Sequence, residues 1–468
     1  MVFSSLLFVF FFLPIILGVY YLAPKRLRNF VLVLGSLLFY AWGEPVYVVL
    51  MIFIAVFDYV NGLLLDKYSE RKAIRRLVLT GSLVINISVL SFFKYYGFLI
   101  NNINALFDIS LVVRELPLPI GISFYTFQSI SYIVDVYQGK VKAQKQFISY
   151  ATFITMFPQL IAGPIIRYID ISRQIENRKE SLALFGEGAW LFVIGLSKKV
   201  LLANNIGILW QSIKATPLEE VSVLSAWLGI LAFTFQIYFD FSGYSDMARG
   251  LGKMFGFDII RNFNYPYIAK SVTEFWRRWH ISLGSWFREY LYIPLGGNRL
   301  GAVKQYRNLL IVWFLTGFWH GASWNFIVWG LYFGLFVTLE KILLLKWLAR
   351  KPVFVGHLYT LVVVVVGWVF FEFTNMLQGL RFIGTMFGLG ANRFLDHDAM
   401  YYLYTHGALL VILAVCSTPW PRNILKRWQE QTKLVGVFAI PVIVPVLLVL
   451  CTAYLANVGY NPFLYFRF

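Results

Sequence analysis

Long, nearly uninterrupted apolar runs constrain this chain more than any other feature. MVFSSLLFVFFFLPIILGVYYLA opens the sequence, VYVVLMIFIAVFDYVNGLLL begins at Val46, and VGVFAIPVIVPVLLVLCTAYLA lies near its end. Each approaches or exceeds the roughly 20 residues a helix needs to cross bilayer hydrocarbon. A soluble fold would have to bury all of them, yet only 14% of the residues are charged, against about 25% in ordinary soluble domains. The chain is therefore expected to be an all-α polytopic membrane protein, a single domain over residues 1–468. The opening run lacks the basic start and small-residue cleavage site of a signal peptide, so it is expected to be a retained first helix with its N-terminus outside.

The net charge of +18 does not point to nucleic acid. The Lys and Arg residues fall in short separate loops, Lys67 to Arg76, Lys140 to Lys145, Lys346 to Lys351 and Arg422 to Lys433. That is the positive-inside pattern, with attraction to anionic lipid added. Taking the basic loops as cytoplasmic gives crossings near 1–22, 30–42, 46–65, 77–98, 119–137, 183–202 and 222–250. Others follow near 308–345 (two, bent at WHGAS), 353–371, 400–418 and 435–456. Residues 101–117 are expected to be an external loop. Residues 147–164, apolar but flanked by basic loops and interrupted by Pro158 and Gly163-Pro164, are expected to be re-entrant. The two cysteines, Cys416 and Cys451, sit in apolar runs without metal-ligand spacing, so neither a disulfide nor a metal site is expected. The Asn86 sequon lies inside an apolar run and is discarded.

Polar groups inside apolar runs are expensive, and they mark candidate sites. His320 stands in LTGFWHGASWNFIVWG, with Thr316 and Trp324 on its helical face. Gly317 and Gly321, and then Gly330 and Gly334, are spaced for close helix approach. Burial there would keep the ring neutral and able to accept a proton. His280 stands in NFNYPYIAKSVTEFWRRWHISLGSWFREYLYIPLGGNR. This stretch either folds inward to meet a phosphate-bearing donor or lies as an amphipathic helix at headgroup level. Glu274 and Arg278 are spaced to pair. A third run, FQIYFDFSGYSDMARG, carries Asp240, Asp246 and Arg249, and GISFYTFQS adds buried hydroxyls. Asp246 and Arg249 are spaced to pair, and either Asp is placed to orient a histidine.

FWRRWHISLGSWFREYLYIPLGGNR, followed by TGFWHGASWNFIVWG, resembles the membrane-bound O-acyltransferase family. FYAWGEPVY and FPQLIAGPIIRY carry the likeness to its bacterial branch of alginate and peptidoglycan O-acetyltransferases and teichoic acid D-alanyl transferase. The resemblance implies a ring of about eleven to twelve transmembrane helices, with re-entrant segments around a central tunnel. It implies His320 as the catalytic base and His280 as a companion that holds the donor or the oxyanion. Trp276, Arg277, Arg278, Trp319 and Asn325 are expected to bind substrate. The implied reaction passes an acyl group, most simply acetyl from acetyl-CoA, to an envelope polysaccharide outside the bacterial cytoplasmic membrane. An extracytoplasmic SGNH-hydrolase-like partner would complete it, and no bound cofactor is implied. The terminal NPFLYFRF favours acetyl over D-alanyl transfer, and Tyr465 within it is expected either to relay the acyl group or to pack at the membrane interface. A proton-coupled transporter or flippase is the reading from another class; it would require inverted repeats, and none is visible.

Overall fold

A computed structural model describes residues 2–114, 116–161, 163–390, 393–431, 433–457, 461, 462 and 464, with side chains for all of these except 429, 431 and 433–440. Among the described residues every regular element is helical. Seven helices are long and apolar enough to cross a membrane: Val48–Lys67, Lys72–Phe107, Leu182–Ala215, Val223–Met254, Trp324–Leu348, Val353–Glu372 and His397–Cys416. Phe8–Leu22 and Pro441–Asn457 are shorter apolar helices where crossings are also expected. The chain packs as two compact units, Met1–Phe192 with Ser245–Ile260, and Val193–Tyr244 with Arg261–Phe468.

In the first unit the Ile122–Tyr137 helix is buried on nearly every side, against Val48–Lys67 and Lys72–Phe107. An Asp in a membrane span must be hydrogen-bonded or neutralised. Asp58 accepts from Ser82 Oγ at 2.6 Å and from Asn86 Nδ2 at 2.7 Å, which gives Asn86 its structural role. The 147–164 stretch forms two short helices, Phe147–Thr155 and Phe157–Leu160, broken at Met156 and buried. Nine residues extend only about 13 Å as a helix, too short for a hydrocarbon core of about 30 Å. One expectation fails. Residues 101–117 are not all loop, because Lys72–Phe107 continues for 36 residues before Asp108 turns it off in the left-handed conformation, at φ 52°. The Asn102 amide bonds back to the Phe98 carbonyl within the helix, so the polar residues there do not break it.

In the second unit the expected bend at WHGAS is a break. Ala302–His320 ends at the histidine, and Trp324–Leu339 begins after Gly321–Ser323 and runs antiparallel to it. The two helices touch through glycine: a Cβ on Gly317 would strike the Phe326 carbonyl, and one on Gly330 would strike the Trp313 carbonyl. The aromatic stretch around His280 folds into the unit as two short helices, Val272–Arg278 and Ile281–Phe287. Ser271 Oγ caps the first of these by accepting from Glu274 N at 3.0 Å. The buried Glu340 carboxylate accepts two more of its free N–H groups, from Val272 at 2.6 Å and Thr273 at 2.8 Å. Donors that have no partner within a helix are thus met by a carboxylate at its positive end.

Candidate active site

His320 is the last residue of its helix and is 7% exposed. Trp329 and Phe371 set their edges or faces against its ring, with centroids at 4.9 and 5.5 Å. It lines a cavity of about 20 Å³ together with Asp240, Trp279, Trp329, Phe371 and Leu464. That is room for about one water molecule. The carbonyl end of a helix favours positive charge, so an imidazolium formed there by taking up a proton is stabilised. An imidazole in an aromatic wall, placed where a cation is welcome, is suited to accept a proton.

His280 precedes the Ile281–Phe287 helix in a left-handed conformation, φ 45°, which is uncommon for a residue with a side chain. Its Nδ1 lies 3.2 Å from Asn262 Oδ1. The same Oδ1 accepts from Ser282 N at 3.1 Å, and a backbone N–H only donates, so this atom is the amide oxygen. Nδ1 therefore carries the proton and the lone pair is on Nε2. His280 lies outside the membrane-spanning helices, and burial pushes its ring down to about 3. In that state Nε2 accepts hydrogen bonds. Trp319 stands between the two histidines, with ring centroids 5.0 Å from His320 and 6.4 Å from His280.

The other expected substrate contacts separate into groups. Trp276 is packed among Trp313, Trp329 and Phe333, with centroids at 4.9, 5.4 and 4.8 Å, and so supports the wall behind His320. Asn325 is fully buried and donates to the carbonyls of Phe370 at 3.1 Å and Phe371 at 3.3 Å, fixing the Phe371 side of the cavity. Arg278 pairs with Glu274 at 2.8 Å and donates to the Asn264 carbonyl. Burial alone would raise the Glu274 carboxyl, but the Lys270 N–H and the Arg278 guanidinium hold it below its usual range. Arg277 alone of this group lines a second cavity, of about 370 Å³, with Arg288, Arg299, Lys341 and Gln305. Gly296 and Gly297 shape its rim in the left-handed region, at φ 101° and 56°. Asn308 ties the rim down by donating to the Leu295 and Gly297 carbonyls at 3.1 and 3.2 Å. Tyr465 lies outside the described residues.

Sequence reasoning missed Lys199. Its Nζ lies 2.7 Å from Asp240 Oδ1, and both side chains are buried. A lysine within a helical run reads as a loop-edge charge, and no sequence signal links it to an Asp 41 positions on. The expected Asp246–Arg249 pair forms, at 3.5 Å.

A family model described as membrane-bound O-acyltransferase matches residues 141–380. A probable alginate O-acetylase of Azotobacter vinelandii is 44% identical over 83% of this chain and 79% of its own length. The peptidoglycan O-acetyltransferase of Helicobacter pylori is 36% identical over 83% of the chain and 80% of its length. The teichoic acid D-alanyltransferase of Bacillus subtilis is 29% identical over 47% of the chain and 58% of its length.

Proposed function

Because the chain belongs to the membrane-bound O-acyltransferase family, we propose that it moves acetyl groups from a cytoplasmic thioester, acetyl-CoA in the simplest case, to O-acetylate a bacterial envelope polysaccharide. It is a multi-pass membrane enzyme, which sets aside the transporter reading, and its membrane is taken to be the cytoplasmic one. The acetyl choice is supported by the alginate-type and peptidoglycan-type relatives, which match far more of the chain than the D-alanyl transferase does.

The observation that carries the reading is His320 in its narrow aromatic cavity. His320 takes the proton of an attacking hydroxyl as its oxygen bonds to the thioester carbonyl carbon. The carbon–sulfur bond then breaks, the thiol departs with a proton, and an ester remains. The cavity of Arg277, Arg288, Arg299 and Lys341 suits the phosphates of the donor, since guanidinium groups hold phosphate in two-pronged fashion. Gln305 at that cavity and His320 stand on one helix, about 22 Å apart at 1.5 Å per residue, a span that calls for a donor with a long thin arm.

The first acceptor in this reading is the Tyr465 phenol, which passes the acetyl group on, with an SGNH-hydrolase-like partner completing transfer to the polymer. Its support is that Leu464, the adjacent residue, lines the His320 cavity. The deciding experiment is chemical measurement of ester-linked acetate on envelope polysaccharide in cells carrying His320→Ala. Ester acetate should fall to background, and wild-type content would overturn the reading. Full acetylation by Tyr465→Phe would remove the relay and leave the rest.

A further inference from the structure

We propose that the buried Lys199–Asp240 ion pair is a clasp that docks Pro462 and Leu464 through their backbone groups and so holds them at the His320 cavity. An ammonium group has three N–H bonds to give. Lys199 Nζ donates to Asn204 Oδ1 at 2.9 Å and to the Pro462 carbonyl, and it lies 2.7 Å from Asp240 Oδ1 as an ion pair. Asp240 is engaged on its other oxygen as well, where Oδ2 accepts the Leu464 N–H at 2.9 Å. Beside them Asn204 Nδ2 donates to Asn461 Oδ1 at 3.2 Å.

Two charges inside apolar helices are tolerated only when their hydrogen-bonding capacity is met. Here Pro462 and Leu464 meet part of it for each partner, a carbonyl for the cation and an N–H for the anion. The ion pair is therefore complete only with these two residues in place. Recognition by the ion pair runs through main-chain groups two residues apart, and Asn204 adds one side-chain contact at Asn461. The Leu464 backbone is placed by its hydrogen bond to Asp240, and Leu464 lines the cavity with His320. Lys199 and Asp240 are positioning residues in this scheme. Its purpose rests on the acyl-transfer reading above, because Leu464 leads directly into Tyr465, but docking is measurable without any transfer.

The test uses the protein with Cys416 and Cys451 replaced by alanine and a reporter pair, Asn204→Cys with Asn461→Cys, bridged by a short bifunctional thiol reagent; the pair gives up the Asn204 contacts and leaves the backbone contacts of Pro462 and Leu464 to be read. The informative variant is the exchange Lys199→Asp with Asp240→Lys. It keeps an ion pair between the two helices, so a purely structural bridge survives it. It turns an acceptor toward the Pro462 carbonyl and a donor toward the Leu464 N–H, so a clasp does not. Crosslinking should fall about tenfold or more, as expected for lost hydrogen bonds to charged groups. Leu464→Pro, which removes the donated N–H and also restrains φ at that residue, should lower it too, and it decides alone if the exchanged protein does not accumulate. Parental crosslinking in either variant overturns the clasp. Lost crosslinking with unchanged polysaccharide acetylation upholds the clasp and instead removes Tyr465 from the reaction.

Discussion

A buried imidazole held neutral by its surroundings makes a firm statement about pH. The His280 ring has its ordinary titration moved down to about 3 by burial, with Nδ1–H donated to Asn262. The protonated form therefore appears only as pH falls toward 3, and between pH 5 and 8 the ring does not change charge. We expect His280→Asn to lower the rate of acetyl transfer while leaving any inflection of the rate between pH 5 and 8 where it was. A rate profile in which that inflection vanishes with the ring would mean His280 titrates there after all. Both histidines were legible in the sequence because an ionisable residue among tryptophans and leucines is rare. What they touch was not. Asn262 lies 18 residues before His280 and reads as an ordinary loop amide, while Asn325 reads as a substrate contact but spends its donors on the 370–371 carbonyls.

Between elements, the decisive contact is the glycine crossing of Ala302–His320 and Trp324–Leu339. A Cβ at Gly330 would meet the Trp313 carbonyl and the Gly317 backbone, neither of which can step aside as a side chain would. Gly330→Val should push the helices apart, at a cost of about 1–3 kcal/mol for overpacking, seen as a lower melting temperature. It should also reduce transfer, since His320 lies one turn beyond Gly317. Gly18→Ala, with nothing within 4 Å of the added carbon, is the control and should melt no lower than the parent. A melting curve for Gly330→Val that matches the control would refute the crossing. The glycine spacing and the WHGAS interruption announced this pair in advance. The 272–287 stretch was ambiguous, because aromatic and arginine content fits a headgroup belt as well as a folded-in segment. The difference lies in Glu340, a carboxylate far along the chain that receives the N–H groups of Val272 and Thr273.

For the whole molecule, hydropathy marks the spans that face lipid better than those that face protein. Arg28–Gly43 and Ile122–Tyr137 have 16 residues each, short of a full span, and the second is buried nearly throughout. Their sequences say apolar without saying whether the surroundings are bilayer or other helices. Basic loops still orient the path. If the buried Ile122–Tyr137 helix crosses, its two flanks lie on opposite sides, with the Lys140–Lys145 loop inside. Single cysteines at the exposed positions Lys142 and Leu111 should therefore label from opposite faces with a membrane-impermeant maleimide, Leu111 from outside. Labelling of both from one face would contradict the crossing.

The cavity beside His320, with space for about one water molecule and walls of Trp279, Trp329 and Phe371, bears on a reaction that does not happen. Thioesters and phenyl esters hydrolyse when a base and bulk water meet them together. In the acyl-transfer reading proposed above, a base reached through so narrow an aperture meets the hydroxyl delivered to it and little bulk water. On that reading, acyl groups entering the site are expected to leave on an acceptor and not to be lost as free acid.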